Sequence, residues 1–242
     1  MVKSGVKPYY LDNVYFGKGY QCLKKDSLAI GYYEKAAPLD TLNNHYNTIS
    51  GIYNSQKKYA LAVQYAEKSM AWKTNKKQPL TSTDWYNAGV AQYYVTAYTP
   101  REDSLGRFTK GMKADSMLVK AIAINDKFAP FYLYRARVNN YVDYTGEKWL
   151  SAPHYEKFLA IVDMTKVNKE QLYEAYKYLG GYHITSTKDL VKAQEFVDKA
   201  VAIKVEDPDG LKAMLNPAAA MPATPVVAPK VPVVPAPKAP KK

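Results

Sequence analysis

Residues that could carry out chemistry are few and scattered. The chain contains three histidines, His45, His154 and His183, and a single cysteine, Cys22. The histidines have no partner at the spacing of a metal-binding motif, so we expect them to serve structural or surface roles. One cysteine excludes an intrachain disulfide and any site built from several cysteine ligands. The sequence therefore predicts neither a metal centre nor a bound cofactor.

Motifs that bring catalytic groups together are also missing. The sequence has no Gly-x-x-x-x-Gly-Lys phosphate loop, no nucleophile elbow and no His-Glu-x-x-His helix. Its carboxylates are scattered, without a pair that indicates acid-base catalysis. The Gly180-Gly181 pair lies inside a helical pattern, where close helix packing explains it. We predict a protein that is not an enzyme.

Two features of the composition favour a binding role. The 242 residues include 34 basic and 22 acidic side chains, a net charge of +12, which favours an acidic partner such as an anionic protein segment or a polyanion. The 23 tyrosines are the second feature. Those at helical spacing, such as Tyr20, Tyr33, Tyr53 and Tyr176, are predicted to lie in the core. The remainder are available for contact with a ligand.

The elements that position these residues are visible first between Tyr10 and Leu42. Large and small side chains alternate there at spacings of three, four and seven, which keep their members on one face of a helix. A polar turn divides the stretch, so it predicts two short antiparallel helices in close contact. The pattern is Phe16-Gly17-x-x-Tyr20, the turn Lys24-Lys25-Asp26, and Ala29-x-x-x-Tyr33-x-x-Ala36.

The same helical hairpin recurs along the chain. The third copy opens with Trp85-Tyr86-Asn87-Ala88-Gly89, and the fifth contains Leu179-Gly180. Asp207-Pro208, an N-cap followed by a preferred first helical residue, predicts a capping helix over 208–215. The predicted units lie near 10–42, 43–76, 82–126, 129–165 and 173–205.

Two connections inside these hairpins are predicted to be unusually long. Residues 99–110 separate the helices of the third unit, whose second helix is expected to start near Gly111. Residues 141–149 separate those of the fourth. Such insertions in a repeat array map to loops on one face, often a binding face, although a solvated loop without a function explains them equally well.

The motif Leu-Gly-x-x-Tyr followed by Ala-x-x-x-Phe resembles the 34-residue tetratricopeptide (TPR) signature. Gly17, Tyr20, Ala29 and Ala36 match it in the first unit, and Tyr33 replaces the phenylalanine. The resemblance covers about residues 10–205 and implies an all-α fold, a right-handed α-solenoid of about five hairpins within residues 10–216. The tyrosine-rich sequence and the lengthened turns look most like those of TPR proteins of the Bacteroidetes cell envelope.

The resemblance also implies where a ligand would bind, because the first helix of each TPR unit lines an inner groove. Such a groove suits an extended peptide, because aromatic rings contact its side chains, amides hydrogen-bond to its backbone and cations bind a carboxylate. An ordinary solvated face remains the alternative. The implied groove residues are Tyr15, Lys18, Asn47, Asn54, Tyr86, Asn87, Tyr94, Tyr134, Arg137, Asn140, Tyr141 and Lys177.

Two functions follow as hypotheses. The first is a scaffold that binds a peptide or protein segment, of acidic character, in the groove. The known TPR clamp for a terminal carboxylate is not matched, since Val14, Thr48 and Thr83 stand at three of its positions. The second is binding of a polyanion, either nucleic acid or an anionic cell-wall polymer, through the basic charge and the C-terminal tail. Nucleic acid is the less favoured partner.

The ends of the chain bear on its location. Residues 217–242 consist almost entirely of Pro, Ala, Val and Lys, which predicts a disordered cationic tail. No stretch reaches the roughly 20 apolar residues of a membrane span. The first residues contain no apolar signal-peptide region, so a cytoplasmic location is expected, or a periplasmic or envelope-associated one if the start is truncated.

Overall fold

The computed structural model describes residues 9–143, 145–207 and 209–215, and these form helices only. A π-helical turn, His183–Thr187, continues the ninth helix. The α-helices are α1 Tyr10–Cys22, α2 Asp26–Ala36, α3 His45–Ser55, α4 Tyr59–Asn75, α5 Ser82–Ala97, α6 Ser104–Ile124, α7 Ala129–Val142, α8 Ala152–Ile161, α9 Lys169–Tyr182, α10 Leu190–Ile203 and α11 Leu211–Leu215.

Consecutive helices pair into five hairpins, α1–α2 through α9–α10, and each hairpin packs on the next. Contacts between α5 and α7 place first helices side by side, and α11 closes the series by packing on α9 and α10. This arrangement is an α-solenoid, as the repeated pattern predicts. None of the helices in the described ranges combines the length and apolar character that crossing a membrane requires.

Glycines allow the helices of a hairpin to approach closely. A Cβ atom built on Gly17 would lie 2.8 Å from Cε1 of Tyr33, and one on Gly180 would lie 3.2 Å from Cγ2 of Val197. Both distances are shorter than ordinary van der Waals contact, so the facing side chain occupies the space that a larger residue would need. The helix-packing explanation of Gly180 is therefore supported.

The core runs along the solenoid as a series of apolar clusters. Its largest group joins the fourth and fifth hairpins, where Leu133, Tyr155, Phe158 and Leu179 are each at most 1% exposed. Of the tyrosines predicted to be core residues, Tyr33 is fully buried. The other three are half-buried against neighbouring clusters, namely Tyr20, Tyr53 and Tyr176.

A buried carboxylate organises the turn between the first two hairpins. Asp40 accepts hydrogen bonds from the backbone amides of Leu42 and Asn43 and lies 2.7 Å from Nε2 of His45. Burial alone raises the pKa of Asp40, but these bonds and that from the Asn43 side chain outweigh it and lower the pKa to about 2. His45 thus has the structural role expected from the sequence.

The prediction of a long loop in the third hairpin is wrong. Helix α6 begins at Ser104 rather than near Gly111, so only residues 98–103 connect it to α5. Asp103 caps the helix by accepting from the amide of Gly106. The additional turns are held in place because the Arg107 guanidinium lies 4.6 Å from the ring centroid of Tyr141.

The capping helix is shorter than predicted. It starts at Leu211 instead of residue 208, because the Asp207 carboxylate accepts from the amides of Leu211 and Lys212 and so caps the helix there. Leu211 and Leu215 are buried against α9 and α10. The predicted tail, residues 217–242, lies outside the described residues.

Candidate functional site

The predicted groove residues all lie on the first helices of the hairpins, α1, α3, α5, α7 and α9. Their side chains are exposed or half-buried rather than part of the core. Their surroundings differ from one helix to the next. Tyr15 and Lys18 are exposed on α1, at the start of the solenoid, and line neither of the clefts described below.

The first cleft lies between α3 and α5 and brings four predicted residues together. It has a volume of about 320 Å³ and is uncharged, and we call it the amide cleft. Its three amides, on Asn47, Asn54 and Asn87, are exposed and make no side-chain hydrogen bond to any described residue. The lining residues are Asn47, Ser50, Gly51, Asn54, Tyr86, Asn87, Val90 and Ala91.

A cluster of tyrosines continues from this cleft across α5 and α7 and includes Tyr59 at the start of α4. Tyr93 lies at its centre, with ring centroids 5.4 Å from Tyr134 and 6.0 Å from Tyr141. Burial raises the pKa of Tyr86 to about 12 and also raises that of Tyr93, so these phenols stay protonated and can donate hydrogen bonds. The tyrosine cluster comprises Tyr59, Tyr86, Tyr93, Tyr94, Tyr98, Tyr134 and Tyr141.

Arg137 is engaged within the protein. Its guanidinium forms a bidentate pair with Glu174 of α9, at 2.6 and 2.9 Å, and lies 5.3 Å from the Tyr134 ring centroid. The same carboxylate accepts from the Tyr155 hydroxyl at 2.8 Å. Burial alone lowers the pKa of Arg137, but the Glu174 pair outweighs it and raises the pKa above its ordinary value. Arg137 therefore ties α7 to α9.

The second cleft, which we call the C-terminal cleft, lies between α7, α9, α11 and the connection 143–151, with a volume of about 820 Å³. Two predicted groove residues, Asn140 and Lys177, line it. The others were not predicted as site residues. They are Asp143, Thr145, Gly146, Trp149, Tyr155, Glu170, Tyr173, Glu174, Tyr178, Gly181, Asp209, Leu211 and Met214.

Residues 143 and 145–151 form one wall of this cleft, and several contacts attach them to the helices. Trp149 has a φ of 53°, which is uncommon for a bulky residue, and its ring lies edge-on to Tyr178 at 5.2 Å. Asp143 accepts weakly from the amides of Lys148 and Leu150. The Ser151 hydroxyl donates to the carbonyl of Ala136, 2.7 Å away. These contacts hold a strained backbone and aim an aromatic ring at the cleft.

Lys177 is also paired rather than free. Its ammonium lies 2.9 Å from Asp209, which accepts from the Tyr173 hydroxyl at 2.5 Å. These two hydrogen bonds, Lys177's first, lower the pKa of Asp209 and keep it ionised. Both predicted groove cations of the C-terminal half, Arg137 and Lys177, thus have internal carboxylate partners.

Signals for some unpredicted residues were present in the sequence. Tyr93 follows Tyr86 by seven residues, the same interval as Tyr134 to Tyr141, so each pair shares a helix face. Trp149 had no such signal, because its position depends on the path of a loop. Within the described ranges, no three side chains of the types that bind metals come together.

Comparison with known proteins identifies the class of fold. No family model matches the chain, and no curated protein matches it. Solved structures do match, and the neighbours are helical repeat proteins. The fold therefore belongs to the class of α-solenoids built from helix hairpins.

The most informative match is the C-terminal part of a TPR repeat-containing protein from Cytophaga hutchinsonii, with 27% identity and a TM-score of 0.66 over 85% of this chain and 73% of that one. MamA matches with 19% identity and a TM-score of 0.58 over 83% and 94% of the two chains. YrrB, described as a TPR protein with an unusual peptide-binding site, matches with 15% identity and a TM-score of 0.56 over 88% and 93%.

The chain has the predicted α-solenoid fold, and its structural neighbours are TPR-repeat proteins. The source of the Cytophaga structure fits the predicted resemblance to Bacteroidetes proteins.

Proposed function

We propose that the chain is a non-enzymatic scaffold that binds an extended segment of a partner protein along the first helices of its hairpins. The observation that carries this proposal is the amide cleft. Asn54 and Asn87 each offer a donor and an acceptor that the described chain leaves unused. An extended backbone presents the same two groups at regular intervals, so the cleft and such a segment are complementary.

The tyrosine cluster supplies the apolar part of the same surface. Tyr94, Tyr134 and Tyr141 are half-buried, so each ring is held by its neighbours while part of it stays accessible. Rings fixed in this way contact a ligand with little further loss of conformational entropy. YrrB has its own peptide-binding site, but at 15% identity it supports the fold alone, so the proposal depends on the residues of this chain.

Charge enters the proposal as a steering effect. The chain has a net charge of +12, which favours encounter with an acidic segment. Arg137 and Lys177 are occupied by Glu174 and Asp209, so contact with a partner carboxylate falls to exposed residues such as Lys18. We therefore expect salt to slow association more than it speeds dissociation.

The test is selection of peptides from a random dodecapeptide library on the full chain, followed by titration of the selected peptides. Asn54→Ala and Asn87→Ala should each weaken binding about fivefold to tenfold, the typical value of a lost hydrogen bond. Asn75→Ala, on exposed Asn75 at the end of α4, is the matched control and should leave affinity unchanged. If all three variants bound the peptides as tightly as the unsubstituted chain, binding at the amide cleft would be rejected.

Polyanion binding is the second candidate, and an exposed basic edge favours it. Lys24 and Lys25 lie at the turn of the first hairpin, and Lys57 and Lys58 lie at that of the second. The Gln56 side chain lines the same depression as the first turn. Heparin binding tests this function. It should weaken steeply with salt, and it should also weaken when these lysines are neutralised or residues 217–242 are removed. The Asn87→Ala substitution should leave it unchanged.

A further inference from the structure

The C-terminal cleft has the surface features of a proline-recognition groove. Trp149 and Tyr178 line it with aromatic rings, and Leu211 and Met214 of α11 supply apolar contact. Proline-rich segments in the extended polyproline II conformation dock in aromatic-lined grooves, because their rigid backbone loses little entropy on binding. The amide cleft has a single aromatic ring, that of Tyr86, and lacks this character.

The charge of the cleft suits a cationic segment. Four carboxylates line it, those of Asp143, Glu170, Glu174 and Asp209, against one lining ammonium, that of Lys177. Counting the two cations that pair with them, Arg137 and Lys204, four carboxylates face three cations. A cleft of this kind is the exception in a chain whose net charge is +12. A lysine-bearing ligand therefore meets no net repulsion there.

The sequence that follows Leu215 has the composition of such a ligand. Residues 216–242 contain no acidic residue, and four lysines. The pattern Pro-Lys-x-Pro occurs twice, over residues 229–232 and 237–240. In a polyproline II helix, which has three residues per turn, prolines at the spacing of this pattern share one edge and the lysine is on the next.

We propose that the C-terminal cleft is occupied in cis by a Pro-Lys-x-Pro motif of the chain's own C-terminal segment. The prolines contact Trp149 and Tyr178, and Lys230 or Lys238 approaches Glu170, whose side chain is 67% exposed and pairs with Lys204 through Oε2 only. The segment begins directly after α11, which is itself a wall of the cleft, and the residues before 229 span up to about 40 Å when extended. That length is enough to turn back into the cleft.

The covalent connection makes even a weak contact effective. A short linker holds its ligand at an effective concentration on the order of mM, so a motif with a dissociation constant of about 1 mM is bound about half the time. A partner segment that reaches the C-terminal cleft must displace it. The inference does not depend on the amide cleft, so its failure would leave the proposed function unaffected.

Carbodiimide cross-linking of the full chain tests the proposal, because the reagent joins an amine and a carboxylate that touch, with loss of water. Peptide mapping should find Lys230 or Lys238 joined to Glu170. The pairs Lys204–Glu170, at 2.7 Å, and Lys177–Asp209, at 2.9 Å, serve as internal positive controls. Exposed carboxylates on α10 provide the background level, namely Glu195 and Asp198.

Two sets of variants decide the nature of the contact. Replacing the four prolines of the two motifs with alanine keeps every lysine but should reduce the cleft cross-links to the α10 background. Trp149→Ala should do the same, and Trp72→Ala, remote from the cleft, should not. Cross-links spread evenly over exposed carboxylates, or unaffected by the proline substitutions, would overturn the proposal.

A mixture of unlabelled and ¹⁵N-labelled chains distinguishes the source of the segment. Occupation in cis predicts that each cross-link joins peptides of one isotopic form, and that dilution does not change its yield. Cross-links that join the two forms would overturn occupation in cis and show that a second copy supplies the segment.

Discussion

The amide cleft and the C-terminal cleft are both lined by first helices of the hairpins, yet they differ in size and charge. Helices α3 and α5 alone form the uncharged amide cleft of about 320 Å³. The C-terminal cleft, about 820 Å³, adds the connection 143–151 and α11, and four carboxylates line it. The first helices therefore line both clefts, whereas the irregular segments, the connection and α11, account for the larger volume and additional charge of the C-terminal cleft.

The two halves also organise their turns differently. In the N-terminal half, Asp40 holds the connection 37–44 through four hydrogen bonds of 2.7 to 3.0 Å. In the C-terminal half, Asp143 accepts longer bonds of 3.3 to 3.5 Å, and the Ser151 hydroxyl and the Trp149 ring provide further attachment. We conclude that a buried carboxylate fixes the first connection, whereas a hydroxyl and an aromatic ring share this task in the second.

The largest predicted effect is in the core behind the C-terminal cleft. Phe158→Ala should lower the free energy of unfolding by about 3–5 kcal/mol, because Phe158 is 1% exposed and its removal leaves a cavity. Phe108→Ala is the matched control, because Phe108 is 39% exposed on α6, and it should lower the free energy of unfolding much less. Urea denaturation measures both. Equal losses would contradict the location of the core.

The next prediction concerns Asp40 and acid. The lowered pKa of Asp40, about 2 against an ordinary 3.8, means that its stabilisation is complete above about pH 4 and is lost as the pH falls toward 2. Asp40→Asn should cost about 2 kcal/mol at pH 7 and should flatten the pH dependence over that range. Unfolding followed from pH 7 to 2 tests this, with exposed Asp198→Asn as control. An unchanged acid profile in Asp40→Asn would refute the assignment.

A smaller effect tests the close helix approach of the first hairpin. Gly17→Ala should lower the free energy of unfolding by about 1–2 kcal/mol, because the new methyl group meets the Tyr33 ring. Gly19→Ala, two positions along the same helix with open space around it, should instead stabilise by about 0.5–1 kcal/mol. Thermal unfolding of the pair gives the sign of each change. Stabilisation by both substitutions would show that Gly17 is not needed for packing.

The smallest change in stability is expected in the amide cleft. Asn54→Ala and Asn87→Ala should each change the free energy of unfolding by less than about 0.5 kcal/mol, because both side chains are exposed. Asn139→Ala provides the contrast, since buried Asn139 donates to Asp115 and to the carbonyl of Arg135. Losses above about 1 kcal/mol at Asn54 or Asn87 would mean that these amides serve the fold rather than a ligand.

The sequence was sufficient to predict the repeat architecture because its signals are local. The spacing of Gly17, Tyr20 and Tyr33 falls within one hairpin, and each further hairpin repeats it. The start of α6 was missed because Gly106 and Gly111 lower the helix propensity of that stretch. The capping signal Asp103-Ser104 was present and outweighs them in the structure.

Contacts between hairpins could not be predicted in the same way. The Arg137–Glu174 pair joins residues 37 positions apart, and Trp149 reaches α9 from a loop. Residue type gives Arg137 and Lys177 a charge but does not show that Glu174 and Asp209 neutralise them. Sequence reasoning could therefore list candidates for the groove, but only the structure distinguishes occupied cations from free amides.

The side-chain amides themselves provide the most direct test of groove binding. In a ¹⁵N-labelled full chain, addition of a selected dodecapeptide should shift the side-chain NH₂ resonances of Asn54 and Asn87, with those of Asn47 beside them. The NH₂ resonance of Asn75, outside the amide cleft, should stay in place. Saturating peptide that moves none of the three cleft amides, or moves Asn75 as much, would contradict the account.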